Sequence, residues 1–304
     1  MYFLRRIAFA VPLLLVISLL AFVLVHLAPG GPFDSERKPA SPEIERNIKA
    51  KYHLDEPVWK QYCRYLGDLL HGDFGASMKY RNHSVNDIIA QGLPVSMLLG
   101  TLAFCFAMAL GLPIGFFTAV RRGTWFDYTG SFLSILTVCI PSFVVAPILI
   151  LLFAMKLKWF PVALWGSPWH MVLPSIALGL FFVGKVARIM REGMLSAAQS
   201  EFITAARSKG LPETTLMLKH AFRIALLPVV SYSGPMLADL LTGSFIIENI
   251  FQIPGIGIFL VNSSLNRDYP VVVGLSLLYA MLLIALNLAV DFAYTLLDPR
   301  VKYE

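Results

Sequence analysis

Charge is scarce in this sequence. Only 14% of its 304 residues are Asp, Glu, Lys or Arg, against about 25% in an ordinary soluble domain. No charged residue occurs from 93 to 120 or from 129 to 155. Cysteine is rarer still. Cys63, Cys105 and Cys139 form no C-x-x-C pair, which excludes a disulfide framework and a thiolate zinc site. The phosphate-binding loop G-x-x-x-x-G-K-[ST] is missing, as are H-E-x-x-H and G-x-S-x-G. The chain therefore has no visible means of hydrolysing ATP. Its six histidines (His26, His53, His71, His83, His170 and His220) are scattered, none at ligand spacing from another His or a carboxylate. The net charge of +6 is modest. It reads as membrane-topology charge rather than as a nucleic-acid footprint.

What the sequence has is apolar length. Hydrophobic residues make up 57% of the chain, and the mean hydropathy is +0.68. Six stretches approach or exceed the roughly 20 residues that cross a bilayer core: 7–28, 94–120, 129–155, 169–186, 226–247 and 271–297. The first follows Arg5 and Arg6 as a signal peptide would. It is longer than the roughly 7–15 residues of a signal core and lacks a small-x-small cleavage site, so it reads as a retained span. The fourth is interrupted by Pro174 and several glycines, which membrane helices tolerate where neighbours satisfy the freed backbone. The expected fold is an all-α transmembrane six-helix permease. Its parts are a tail and first helix (1–28), an extracytoplasmic segment (29–93) and a core of helices 2–6 (94–304) with a cytoplasmic loop at about 188–224.

Orientation follows from Lys and Arg in short loops. Arg5, Arg6, Arg121, Arg122, Arg300 and Lys302 fall on one side with the 185–223 segment. That segment holds seven Lys and Arg against Glu192, Glu201 and Glu213. Both termini are thus expected in the cytoplasm, with Lys156 and Lys158 in mild dissent on the other side. In the outer segment, Ser41-Pro42-Glu43 has the form of a helix start. Residues 57–70 space Val58, Trp59, Tyr62, Leu66, Leu69 and Leu70 as an amphipathic helix, either lying on the membrane or packed as a cap. Gly111 and Gly115 form a G-x-x-x-G pattern that lets helices approach closely.

Acids within spans are costly and usually functional. Asp239 lies deepest in an apolar run, whereas Glu248 and Asp291 sit near span ends, where water is closer. A pathway or interhelical role fits Asp239. The fifth span around Gly234, Pro235, Asp239, Thr242 and Ser244 is the candidate substrate lining. An ion- or proton-coupled secondary transporter of small solutes is the alternative. It needs several intramembrane ionisable groups or inverted repeats of broken helices, and the sequence offers one strong acid and no clear repeat. An intramembrane enzyme would need a catalytic constellation within the spans, and none is seen.

The most informative stretch runs from 188 to 228. A helix rich in good formers extends to Lys209, Gly210 fits a left-handed cap, and Pro212 opens a second helix. Small residues let another protein approach, and Phe202 with Ile203 offers an apolar knob. The core Thr204-Ala205-Ala206-x-x-x-Gly210 resembles the EAA loop of importer-type ABC permeases, with Thr204 in place of the usual Glu. Further matches lie in Leu27-Ala-Pro-Gly-Gly-Pro32, Tyr52-His-Leu-Asp55-x-Pro57, Gly72-Asp-Phe-Gly75-x-Ser77 and Ile140-Pro141-Ser-Phe143. They continue in Gly243-Ser-x-x-Ile-Glu248, Pro254-Gly255-Ile-Gly257, Asn266-Arg267-Asp268-Tyr269 and Asp298-Pro299-Arg300. In this order they resemble the B-type membrane subunit of oligopeptide and dipeptide permeases along essentially the whole chain.

That resemblance implies a non-catalytic subunit of an ATP-driven importer in the bacterial inner membrane, moving peptides by alternating access. The implied partners are a homologous second permease subunit, two ATPase subunits that bind the ATP and Mg, and an extracytoplasmic peptide-binding protein. This chain itself holds no cofactor. Glu201, Phe202, Ala205, Ala206, Arg207, Lys209 and Gly210 are the implied ATPase contact. The 254–257 loop and the 72–77 segment are candidate contacts for the binding protein.

Overall fold

The computed structural model describes residues 2–27, 52–80 and 82–297. The helix start at Ser41, the motif segments 28–32 and 298–300 and the side chain of Asp291 lie outside the described residues. Among the described residues all regular structure is helical, apart from one isolated bridge between Ala76 and Ser84. Five helices are long and apolar enough to cross a membrane, or six spans if one bent pair counts as a single crossing.

The chain forms two compact units. The first comprises residues 1–94 and 255–284. It contains α1 (Tyr2–Leu27), the amphipathic α2 (Val58–Leu70) and the start of α3 (Val85–Val120). It also holds α11 (Ile256–Asn266) and most of α12 (Tyr269–Leu297). Helix α2 packs on α1 as a cap does: the hydroxyls of Tyr62 and Ser18 lie 2.8 Å apart, and the Tyr62 hydroxyl also reaches the Leu15 carbonyl. A small core of Val85, Ile88, Ile256, Val271 and Leu275 lies further along this unit.

The second unit, residues 95–254 and 285–304, holds the main core. The expected third span is two helices, α4 (Trp125–Cys139) and α5 (Ser142–Leu149), the latter prolonged by π-helical turns over Ile150–Lys156. They meet at 103°. Pro141 supplies the reason, since it has no N–H to continue α4 and disfavours helical backbone at the residue before it. Ile140 accordingly lies at φ −88°, ψ 118°. Helix α6 (Pro168–Ala198) runs unbroken past Pro174 and beyond the expected end of the fourth span. After α7 (Glu201–Ser208) come a single helical turn α8 (Glu213–Thr215), π-helical turns over Leu216–Ala221 and α9 (Phe222–Leu241). The expected fifth span is shorter than its apolar run: the helix stops at Leu241, and α10 (Phe245–Ile250) starts afresh. The G-x-x-x-G pattern works as a close approach of α3 to α6. A Cβ on Gly111 would stand 2.7 Å from the Cβ of Val186, and one on Gly115 would overlap the Ala187 carbonyl.

Candidate functional site

Helix α7 begins at Ser200, whose hydroxyl caps the Ile203 N–H at 3.5 Å. It ends at Gly210, with φ +80°. A left-handed residue just past the last turn terminates a helix, and glycine takes that conformation without penalty. The two inward positions, three apart, are Ile203 at 0% and Ala206 at 8% exposure. They join Leu216 and Met217 in the core. Two sequence expectations are corrected here. Ile203 is an anchor rather than part of an outward knob, and Ala206 faces the chain's own core rather than a partner. The outward face carries Glu201, Phe202, Thr204, Ala205, Arg207, Lys209 and Gly210, all exposed. Phe202 is 57% exposed, with one ring edge on His220. Arg207 closes the turn through two N–H donors to the Glu213 carboxylate, at 3.1 and 2.8 Å. The hydrogen bonds it donates to that carboxylate, then the carboxylate's charge, raise the Arg207 pKa. Pro212 precedes the next helix as its cap rather than as its first residue.

On α9, besides Arg223 in the first turn, the exposed positions are Ile224, Pro228, Ser231, Pro235 and Asp239, which recur at helical spacing as one stripe. Prolines 228 and 235 cannot donate to the carbonyls of Ile224 and Ser231, so these lose their α-helical donors on a stripe that also carries a carboxylate. Backbone left unpaired at membrane depth is tolerated only where it is covered by protein or lines a water-filled path. The predicted lining residues divide accordingly. Pro235 and Asp239 are on the stripe, and Thr242 lies half-buried just past the helix, its hydroxyl donating to the Asp239 carbonyl at 3.1 Å. Gly234 is buried in the packing of α9, and Ser244 caps α10.

Three polar clusters went unread in the sequence. Arg191 on α6 donates to both carboxylate oxygens of Asp127 on α4, at 2.9 and 3.1 Å, and the Gly123 N–H and the Ser131 hydroxyl complete the cage. Glu248, placed by the sequence within reach of water, is 0% exposed and accepts from the Ser96 hydroxyl at 2.7 Å. In the first unit the carboxylate of Asp268 is also wholly buried, and it accepts from the Ser77 hydroxyl and the backbone N–H groups of Met78 and Lys79. Two motifs of the resemblance, 72–77 and 266–269, are thus partners in one internal anchor. The Tyr52 hydroxyl donates to the Ser77 carbonyl beside it; burial first, then the Asp268 charge, push its pKa up.

A multi-span helical chain with a short, capped and largely exposed helix and a polar stripe has the architecture of a membrane permease. Its fold matches a chain of the MetNI methionine ABC transporter in inward-facing form, with a TM-score of 0.55 at 16% identity over 69% of this chain and 96% of that one. That is the fold of a type I ABC importer permease. The family model for binding-protein-dependent transport system inner membrane components matches residues 111–303, and the model for the N-terminal part of such components matches 1–100. The oligopeptide transport system permease protein OppB of Haemophilus influenzae is 46% identical over 98% of both chains. That of Escherichia coli is 45% identical over 99% of both. The dipeptide permease DppB of Bacillus subtilis is 43% identical over 99% of this chain and 97% of its own length. The chain belongs to the binding-protein-dependent transport system inner membrane component family and is a multi-pass membrane protein.

Proposed function

We propose that this chain is the membrane-spanning subunit of an ATP-driven importer that carries peptides, oligopeptides foremost, across the bacterial inner membrane by alternating access. The substrate class rests on the near-full-length similarity to oligopeptide and dipeptide permeases. The observation that carries the mechanism is α7. This short helix is capped at both ends and anchored by Ile203 and Ala206, with its remaining face free. Glu201, Phe202, Ala205, Arg207, Lys209 and Gly210 form the handle on which an ATPase subunit pulls. Two such subunits hold the ATP and Mg, a homologous permease subunit completes the conduit, and a binding protein delivers peptide outside. The α9 stripe lines the path. This chain performs no hydrolysis; it is a two-state conduit biased by its partners. Both termini and α7 face the cytoplasm.

Purification in mild detergent tests the reading. The chain should co-elute with two ATP-binding subunits and a second permease chain, and vesicle uptake should stop with vanadate and continue with an uncoupler. ATP-driven uptake by this chain alone, or uptake abolished only by the uncoupler, would overturn it.

A further inference from the structure

Lys185 lies in the middle of α6, within a helix that has the length and apolarity of a span. Its ammonium stands 4.4 Å from the ring centre of Phe181 and 5.9 Å from that of Tyr232 on α9. Among the described residues it makes no ion pair. Contact with aromatic faces is too weak to replace the hydration of an ammonium. An ionisable side chain at such depth marks a water-filled path or a ligand. Asp239 is the complementary group. It is exposed and likewise makes no ion pair among the described residues. It follows Tyr232 by seven residues, two helical turns, so it lies on the same side of α9 about 10 Å further along the axis.

The arrangement is a cation beside Tyr232 and an anion borne about 10 Å further along the same side of α9. A peptide chain has the inverse arrangement: a carboxylate at one end and an ammonium at the other. At about 3.3–3.6 Å per extended residue, three residues span a rise of that length. We propose that Lys185 and Asp239 read the two termini of short extended peptides inside the conduit. Lys185 takes the C-terminal carboxylate and Asp239 the N-terminal ammonium. This inference rests on the peptide-import reading and deepens it.

The test uses the assembled transporter in liposomes with saturating binding protein and three probes: trialanine, its C-terminal amide and its N-acetyl form. Lys185→Met should cut the preference for trialanine over the amide by about tenfold, the equivalent of about 1.4 kcal/mol, and leave the preference over the acetylated form unchanged. Asp239→Asn should do the reverse, and Lys185→Arg should restore the wild-type pattern. Equal loss for all three probes in an intact complex would overturn the proposal, as would loss of subunit assembly, which would assign the pair to an interface. If the wild-type complex moves none of the probes with ATP, the import reading falls and the proposal with it. Wild-type uptake with unselective variants sinks the proposal alone.

Discussion

At Gly210 a single φ angle sets where α7 stops. The residue adopts φ +80°, and a Cβ built there meets nothing within 4 Å. A substitution is therefore opposed by backbone conformation alone, about 1–2 kcal/mol for a residue forced left-handed and more for a β-branched side chain. Gly210→Val should abolish ATP-dependent uptake in vesicles without lowering the amount of chain in the membrane, whereas Gly210→Asn, which tolerates this region, should keep most of the uptake. Full uptake by the valine variant would remove the cap from the mechanism. A second residue-scale effect is set by protonation. The Tyr52 pKa is raised from 10.0 by burial and by Asp268, so folding favours the neutral phenol. That stability is whole below pH 10.0 and is lost as pH rises through the higher folded value. Proteolysis of the outer segment should speed up above pH 10.0 in the wild type and far less so in Tyr52→Phe. Equal alkaline sensitivity of the two would show that the phenol is not the titrating group.

Among the elements, the contact of α4 with α6 is the one in which charge competes with packing. The Asp127 side chain is 8% exposed and that of Arg191 27%. Removing one member of a buried pair strands the other, at about 3–5 kcal/mol, whereas replacing both with apolar groups is often close to neutral. Asp127→Ala should thus lower the thermal stability of the purified complex more than Asp127→Leu combined with Arg191→Met, even though the double variant still strands the Gly123 N–H. A double variant as unstable as the sum of the singles would show that the pair acts independently.

The same contact illustrates what the sequence could convey. Apolar length set the spans, and local chemistry placed α2, the Gly210 cap and the Gly111/Gly115 approach, because each depends on neighbours a few positions away. Asp127 and Arg191 are 64 residues apart, and Ser77 and Asp268 are 191 apart. No local pattern encodes such meetings, so Arg191 read only as topology charge. Glu248 read as hydrated because its position in an apolar run says nothing of the Ser96 hydroxyl that meets it. Ile203 and Ala206 looked like their exposed neighbours because a helix of eight residues is too short to reveal its inward face. The bend at Pro141 was hidden by an apolar composition that runs straight through it.

For the whole molecule the deciding property is sidedness, since α7 can meet an ATPase only from the cytoplasm. The natural cysteines give a way to measure it. Cys105 and Cys139 are exposed on the isolated chain but sit in apolar helices, which a water-soluble maleimide does not reach within a bilayer. Cys63 is exposed on α2, whose polar and apolar residues alternate at helical spacing. It is therefore the natural aqueous reporter of the outer segment. A membrane-impermeant maleimide added to intact cells should label Cys63. A cysteine placed at the exposed Ser208, in a chain carrying Cys63→Ser, should react only after the membrane is opened. The positive-residue bias of the 188–223 segment leads independently to the same expectation. If the reporter at 208 reacted in intact cells, α7 would face outward and could not serve as the motor's handle.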